Sequence, residues 1–241
     1  MSEKLIREAA ANNAAWCEEM CRTHGVPGLL TGGFWAAPRH TVPYYPHLVT
    51  VEPAVPKSAA TAFLRADSGG RGGGFAVKDS FADLDLSDDG FSVLFEAEWI
   101  HRPGRAPAPE APPTQAWRRL TTPAELAVWE RTWPGPEDTA TMFPESLLAT
   151  PVLFLGGFSE GRLTAGAVAN ASGGVVGLSN VFGPAGETSA TWAGALSCLA
   201  REAPGVDVVG YERGDALAAA LQHGCTRLGK LRVWLQDGTG E

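Results

Sequence analysis

The order of predicted elements places this chain in the α/β class, or α+β by looser usage, with a mixed, mostly antiparallel sheet flanked by helices. Three observations predict it. The last third, Gly161 to Leu235, reads as strand, hairpin, strand, Gly/Pro-containing turn, helix, strand, capped helix, strand. Residues 4–24 set Ile6, Ala10, Cys17 and Cys21 along one stripe, with Leu5, Ala9, Trp16 and Met20 beside it, as in an amphipathic helix. Phe91 to Arg102 alternates with period two: Phe91, Val93, Phe95, Ala97 and Trp99 face one way, Glu96 and Glu98 the other.

In chain order, Gly25 and Pro27 end the first helix. A loop rich in Pro, Gly and aromatics follows, GLLTGGFWAAPRHTVPYYP, whose Tyr44 and Tyr45 are too apolar for a free tail. Leu48 to Val51 reads as a strand, Ser58 to Ala66 as a short helix with Ser58 as N-cap, and Phe75 to Phe81 as a strand. The run Gly69–Gly74 follows a helix and precedes a strand, the wrong order for a phosphate-cradling loop, so it reads as a flexible link. The segment PGRAPAPEAPPTQ is an extended, semi-rigid connector, and the domain boundary is expected there: an N-terminal α/β region over 1–102, a linker over 103–115, and a second domain over 116–241. Trp117–Leu120 is a strand. Thr122, Pro123 and Glu125 open a helix with an N-cap, a first-position proline and an acidic first turn. Three antiparallel strands follow over 151–158, 162–169 and 175–182.

The 241 residues support a sizeable core. A net charge of −8, spread over both halves, argues against nucleic acid or an anionic membrane as partner. The acidic, non-basic start and the lack of a long apolar run point to a cytoplasmic protein. Cys17, Cys21, Cys198 and Cys225 follow no zinc spacing and are expected as buried or half-buried, reduced thiols. The five histidines are dispersed, so no metal is expected. No GxSxG elbow is present.

Over roughly Ala116 to Leu235, the TTPAELAVWERTW helix, the VLFLGGFSEGRLTAGAVANASGGVVGLSNVF strands and the VVGYERGDALAAALQHGCTRLGKLRVWL tail resemble the GNAT acyltransferases. The resemblance implies that the strands 175–182 and 206–212 splay apart and that acetyl-CoA, or another acyl-CoA, lays its pantetheine arm between them as an added strand. It implies cofactor contacts at Val181, Phe182, Gly183, Gly186, Thr188 and Ser189, with phosphates on the following helix N-terminus. The family loop carries Arg or Gln, two residues, Gly, one residue, then Gly or Ala. This chain has Phe182-Gly183-Pro184-Ala185-Gly186-Glu187 instead, without the Arg or Gln, with Pro184 lacking an N–H, and with an added carboxylate. At about 6 Å and an effective dielectric near 20, Glu187 would repel one phosphate charge by roughly 3 kcal/mol. Alternatively Glu187 simply favours the helix start, with Thr188 or Ser189 as N-cap. The family's Tyr acid, four residues before the last helix–strand Gly, falls on Ala220.

Glu212, ending the fifth strand, is the candidate general base, its bland alternative a surface ion pair with Arg213 or Arg232; Tyr211 and Asn180 complete the catalytic candidates. Glu96, Glu98, His101 and Lys78 are candidate substrate-binding residues; Lys78 and Asp79, on a neighbouring strand-like segment, would form a four-charge cluster with Glu96 and Glu98 if the strands pair. His223, in the last turn of the final helix, is read as a cation complementing the helix dipole. The implied function is acyl-CoA-dependent N-acyl transfer to a small amine. The alternative is a protein of this fold that has lost that chemistry and serves as a small-molecule-binding or interaction module or another enzyme. A small-molecule substrate is the expected partner, and a homodimer stays open. A degenerate second copy of the architecture in the N-terminal half also stays open.

Overall fold

The computed structural model describes residues 2–37, 42–66, 74–135 and 141–237. Of the Gly69–Gly74 run, only Gly74 lies among them. The chain forms two compact units, Met1–Glu98 with Gly229–Glu241, and Trp99–Leu228. This division differs from the boundary expected at 103–115. The proline-rich segment belongs to the second unit, and two strands, β5 (Phe91–Arg102) and β11 (Thr226–Gln236), carry residues of both.

In the first unit, helix α1 (Ser2–Thr23) packs Ala14, Cys17 and Cys21 against Trp35, Ala37 and Val49. The segment expected as a loop forms a hairpin, β1 (Leu29–Thr31) and β2 (Phe34–Ala36), with Thr31 opposite Phe34. Gly32 and Gly33, both at positive φ, make its two-residue turn. Tyr45 meets Trp16 edge-on at 6.0 Å, as expected of a packed aromatic, whereas Tyr44 is exposed. Strand β3 (Leu48–Thr50) leads through α2 (Lys57–Ala66) to β4 (Ala76–Asp79), which runs parallel to β3. Because α2 begins at Lys57, Ser58 lies inside it rather than capping it. The hydrogen-bonded order is β1-β2-β3-β4-β11-β5. Burial along β5 follows the expected alternation only in part, since Val93 and Leu94 are both exposed.

The second unit positions the site. Its order is β5-β10-β9-β8-β7-β6, with β6 at Ala116–Leu120, β7 at Val152–Ser159, β8 at Arg162–Ser172, β9 at Val175–Phe182 and β10 at Asp207–Glu212. Strands β6 to β9 are antiparallel neighbours, and β9 and β10 are parallel, joined through α4 (Thr188–Glu202). Helix α3 (Pro123–Thr132) has the predicted N-cap, first-position proline and acidic first turn, and the structure closes them into a capping box: Thr122 Oγ1 accepts from Glu125 N, and the Glu125 carboxylate accepts from Thr122 N. The three donors around Thr121 and Thr122, together with Arg118, hold the Glu125 carboxyl down at about 2. Helix α5 (Gly214–Gln222) packs Leu217, Ala219 and Ala220 with Trp192, Ala195, Leu196 and Leu199 of α4 over Leu155, Ala167, Val176 and Leu178. The opposite face is closed by aromatics: Trp129 meets Phe143, Phe154 and Phe182 edge-on at 5.1–5.2 Å. All four cysteines are free and buried, and burial lifts Cys17 and Cys198 to about 11 and Cys21 and Cys225 to about 12.

Gly166 is where that cluster meets the sheet. A Cβ there would lie 2.2 Å from Trp129 Nε1 and 2.5 Å from the Phe182 ring. We expect Gly166→Ala to destabilise the fold by about 1–3 kcal/mol through overpacking, read as a lower urea midpoint at unchanged slope.

Candidate functional site

The site is an opening between two neighbouring strands. The parallel ladder of β9 and β10 pairs Val175, Val176 and Gly177 with Asp207, Val208 and Val209, and ends there. The strands stay close one residue further, since a Cβ on Gly210 would lie 2.7 Å from Leu178 O. Beyond that point Ser179–Phe182 and Tyr211–Glu212 run on unpaired with each other.

The cause lies on the other edge of β9. Gly166 pairs with Phe182 and Val168 with Ser179, so three residue steps on β9 face two on β8. One extra residue is a β-bulge, which bends its strand and strengthens its twist. Asn180 takes the strain in the left-handed region at φ 49, a conformation that asparagine tolerates better than most residues. Its side chain donates to Ser179 Oγ, at 3.3 Å. Asn180 thus shapes the backbone where β9 leaves β10. The side chains of Val181 and Phe182 pack into the core, which leaves their main chain as the part that can face a ligand.

Glu212 stands at the mouth of this opening. It is half-buried, and Arg232 holds Glu96 at 3.0 Å. Desolvation, with no donor or cation to offset it, lifts its carboxyl to about 7. Tyr211 packs its ring edge-on to Trp99 at 5.5 Å. Neighbouring residues of a strand project to opposite faces, so Tyr211 and Glu212 do not serve one face together.

Below the opening, β9 turns through Gly183–Gly186 into α4. A Cβ on Gly183 would lie 2.2 Å from Thr191 Oγ1, so glycine lets the turn approach the helix. Gly186 sits at φ 79. The N-cap is Glu187, not Thr188 or Ser189, and no side chain caps the first turn. The first helical hydrogen bond there is Thr191 N to Glu187 O, at 2.9 Å, so the N–H groups of Thr188, Ser189 and Ala190 precede the helical ladder. Glu187 is exposed. In a solvent-like dielectric its repulsion of a phosphate about 6 Å away falls to about 0.7 kcal/mol, well below the estimate made for a partly buried charge.

The strand pairing expected to join Lys78 and Asp79 to Glu96 and Glu98 does not occur. Strand β11 lies between β4 and β5, so the strands that would bring Lys78 beside Glu96 and Glu98 are not neighbours. Lys78 is buried and donates to Asn13 Oδ1 at 2.7 Å. In the second unit, His101 Nε2 meets Asp207 Oδ2 at 2.8 Å, while Gly104 N donates to Asp207 Oδ1 at 2.8 Å. The Gly104 N–H first, and His101 second, hold the Asp207 carboxyl below its ordinary value. This pair fixes the start of the proline-rich segment. His223 also has a tie that helix-dipole reasoning missed: its Nε2 lies 2.9 Å from Ser189 O and 3.0 Å from Ser189 Oγ, joining α5 to the first turn of α4. No sequence pattern marks either tie, because each joins residues at least 34 positions apart. Among the described residues no group of three or more His, Cys, Asp or Glu could hold a metal ion, and no helix is long and apolar enough to cross a membrane.

No protein-family profile and no curated protein matches the sequence. Solved structures do. A GCN5-related N-acetyltransferase from Kribbella flavida superposes with a TM-score of 0.66 at 15% identity, covering 97% of this chain and 96% of that one. A putative acetyltransferase from the GNAT family of Novosphingobium aromaticivorans gives 0.56 at 12% identity, over 96% and 99%. A tandem GNAT protein from the clavulanic acid biosynthesis pathway gives 0.53 at 11%, over 81% and 74%. The chain has a GNAT-like fold. The resemblance seen over 116–235 thus extends over nearly the full length.

The cofactor implied by a GNAT-like fold is acyl-CoA, and the residues present fit its two ends unequally. The open edge of β9 over Ser179–Phe182 suits a neutral, amide-bearing arm added as a strand. The uncapped first turn of α4 suits a phosphate, with Glu187 a weak, solvent-screened opponent. A carboxyl raised in the folded state favours folding most at low pH, and that contribution is lost as pH rises from the ordinary 4.5 to about 7. Between about pH 4 and pH 8, the native chain should therefore lose about 2 kcal/mol more stability than Glu212→Gln, allowing for partial exposure, measured by denaturant titration at each pH.

Proposed function

We propose that the chain is an acyl-CoA-dependent N-acyltransferase acting on a small amine. The observation that carries this reading is the parting of β9 from β10 beyond Val209, with a half-buried carboxyl raised by desolvation at its mouth. When bound, acyl-CoA supplies an activated thioester carbonyl. Main chain at Val181 and Phe182, freed from β10, would donate to the acyl oxygen as negative charge develops there. The strand edge would hold the acyl arm in line, so that attack by an amine becomes effectively unimolecular. Glu212 would take the amine proton. Its position near 7 leaves about half the molecules ionised at neutral pH, close to optimal for a general base. Glu96 has no part in this reading, since Arg232 already neutralises it.

One observation favours the second reading, a GNAT-like protein without acyl-CoA chemistry. Ala220, at the position where the family carries a Tyr acid, is fully buried in the core against α4. No hydroxyl from that position of α5 reaches a departing thiolate.

Binding separates the two. Acetyl-CoA and desulfo-CoA should each raise the melting temperature saturably, and no shift at millimolar ligand would refute acyl-CoA binding. In turnover with an amine acceptor, kcat/KM should rise with pH through about 7, and Glu212→Gln should lower it by about 10²-fold or more. Glu187→Gln should tighten acetyl-CoA binding about threefold at low salt by calorimetry, the effect of one exposed charge near a phosphate.

A further inference from the structure

The phosphate end of this site lacks the Arg or Gln of the family's loop, yet it holds a group able to carry positive charge. A cleft of about 510 Å³ lies between the proline-rich segment at Glu110–Pro113 and the first turn of α4, and His223 is one of its walls. Two observations mark the turn as a place for an anion. The N–H groups of Thr188, Ser189 and Ala190 have no side-chain cap. Thr191 Oγ1, in a residue 3% exposed, has no hydrogen-bond partner and is aimed at the Gly183–Gly186 turn, where a Gly183 Cβ would lie 2.2 Å away.

The hydrogen bonds of His223 decide which of its nitrogens can gain a proton. The carbonyl of Ser189 can only accept, so Nε2, 2.9 Å away, carries a hydrogen. The Ser189 hydroxyl donates to Gln222 Oε1 at 2.9 Å, which leaves its oxygen free to accept from the same Nε2–H at 3.0 Å. Nδ1 is then the atom that takes up a second proton. The charged groups around the ring come from three elements. Glu110 of the proline-rich segment and Glu187 of the turn line the cleft with His223, and each opposes a phosphate there through a solvent-like dielectric. Arg102 at the end of β5 donates from Nε to the carbonyl of His223 itself at 2.9 Å. His223 is the C-cap of α5, a place where the helix dipole suits a cation.

We propose that His223, protonated at Nδ1, supplies the cation for the phosphates of the acyl donor, so that donor binding strengthens as pH falls. The inference rests on the acyl-CoA reading above and assigns a new binding residue to that site. Imidazole is the side chain whose charge ordinarily changes between pH 5 and 8.

The test is calorimetry on the full chain with two ligands, acetyl-CoA and S-acetylpantetheine, the second carrying the same thioester arm without phosphates. Between about pH 7.5 and pH 5.5 the native chain should bind acetyl-CoA about tenfold more tightly, as one added cation near a phosphate implies, and S-acetylpantetheine with unchanged affinity. His223→Gln keeps an N–H for Ser189 but cannot be charged, and should bind acetyl-CoA without that pH dependence. Glu212→Gln should retain it. Affinity for acetyl-CoA that ignores pH, or that follows pH equally in His223→Gln or toward S-acetylpantetheine, would overturn the assignment while leaving the acyl-CoA reading intact. Failure of both ligands to bind at either pH would overturn the two together.

Discussion

One surplus residue in β9 governs the second unit. Between Ser179 and Phe182 the strand carries one position more than its partner β8 can match, and Asn180 absorbs it with a left-handed backbone. A strand hydrogen-bonded on both edges could not part from β10 without leaving main-chain groups unmet. The bulge makes the parting local. Its far end is pinned again at once, because Phe182 pairs with Gly166 and its ring packs edge-on to Trp129. The same pin sets the direction in which the chain leaves β9, and so where α4 begins. The slot, the turn below it and the helix terminus are consequences of one irregularity held between a glycine and an indole.

The electrostatics follow from where these features meet water. The turn into α4 is exposed, so Glu187 acts through a high dielectric and counts for little. Glu212 sits where protein displaces water and nothing compensates its charge, so its carboxyl is lifted to about 7. Identical side-chain chemistry thus has opposite weight at two places on the same site. The partners of Asp207 and Glu125 show the converse, since donors from Gly104 and from Thr121 and Thr122 hold those carboxyls down. Both of those carboxylates tie segments in place, whereas Glu212 ties nothing.

Much of this was legible in the sequence wherever the signal is local. The span of β9 at 175–182, the N-cap at Thr122 and the free cysteines follow from composition, spacing and termini. The first hairpin was equally local but was masked. Gly32-Gly33 between apolar pairs signals a two-residue turn, while the surrounding prolines and glycines speak for a loop. The order of strands was not legible, because nothing in the residues of β4 and β5 says that β11 lies between them. That single fact separates Lys78 from the Glu96 strand face. The bulge left no trace either. Asn180 is an unremarkable polar residue near a strand end until the register of β8 shows that it has no opposite number. Long-range ties such as His101 to Asp207 and His223 to Ser189 depend on that register and share its invisibility.

The buried Ala220 bears on mechanism less heavily than it first suggests. General acid assistance is worth roughly 10²–10⁴-fold where the leaving group is a poor one. A thiol near 8.5 is a far better leaving group than an alcohol, and expulsion quickens as that value falls. In the proposed reaction Glu212, having taken the proton of the attacking amine, would itself be a carboxylic acid near 7. A thiolate near 8.5 is the stronger base, so proton return from Glu212, directly or through water, runs downhill by about 2 kcal/mol. A single carboxyl lifted by desolvation can thus serve both halves of a transfer that the family divides between two residues. In that reading the absent hydroxyl would slow the release of product without closing the route.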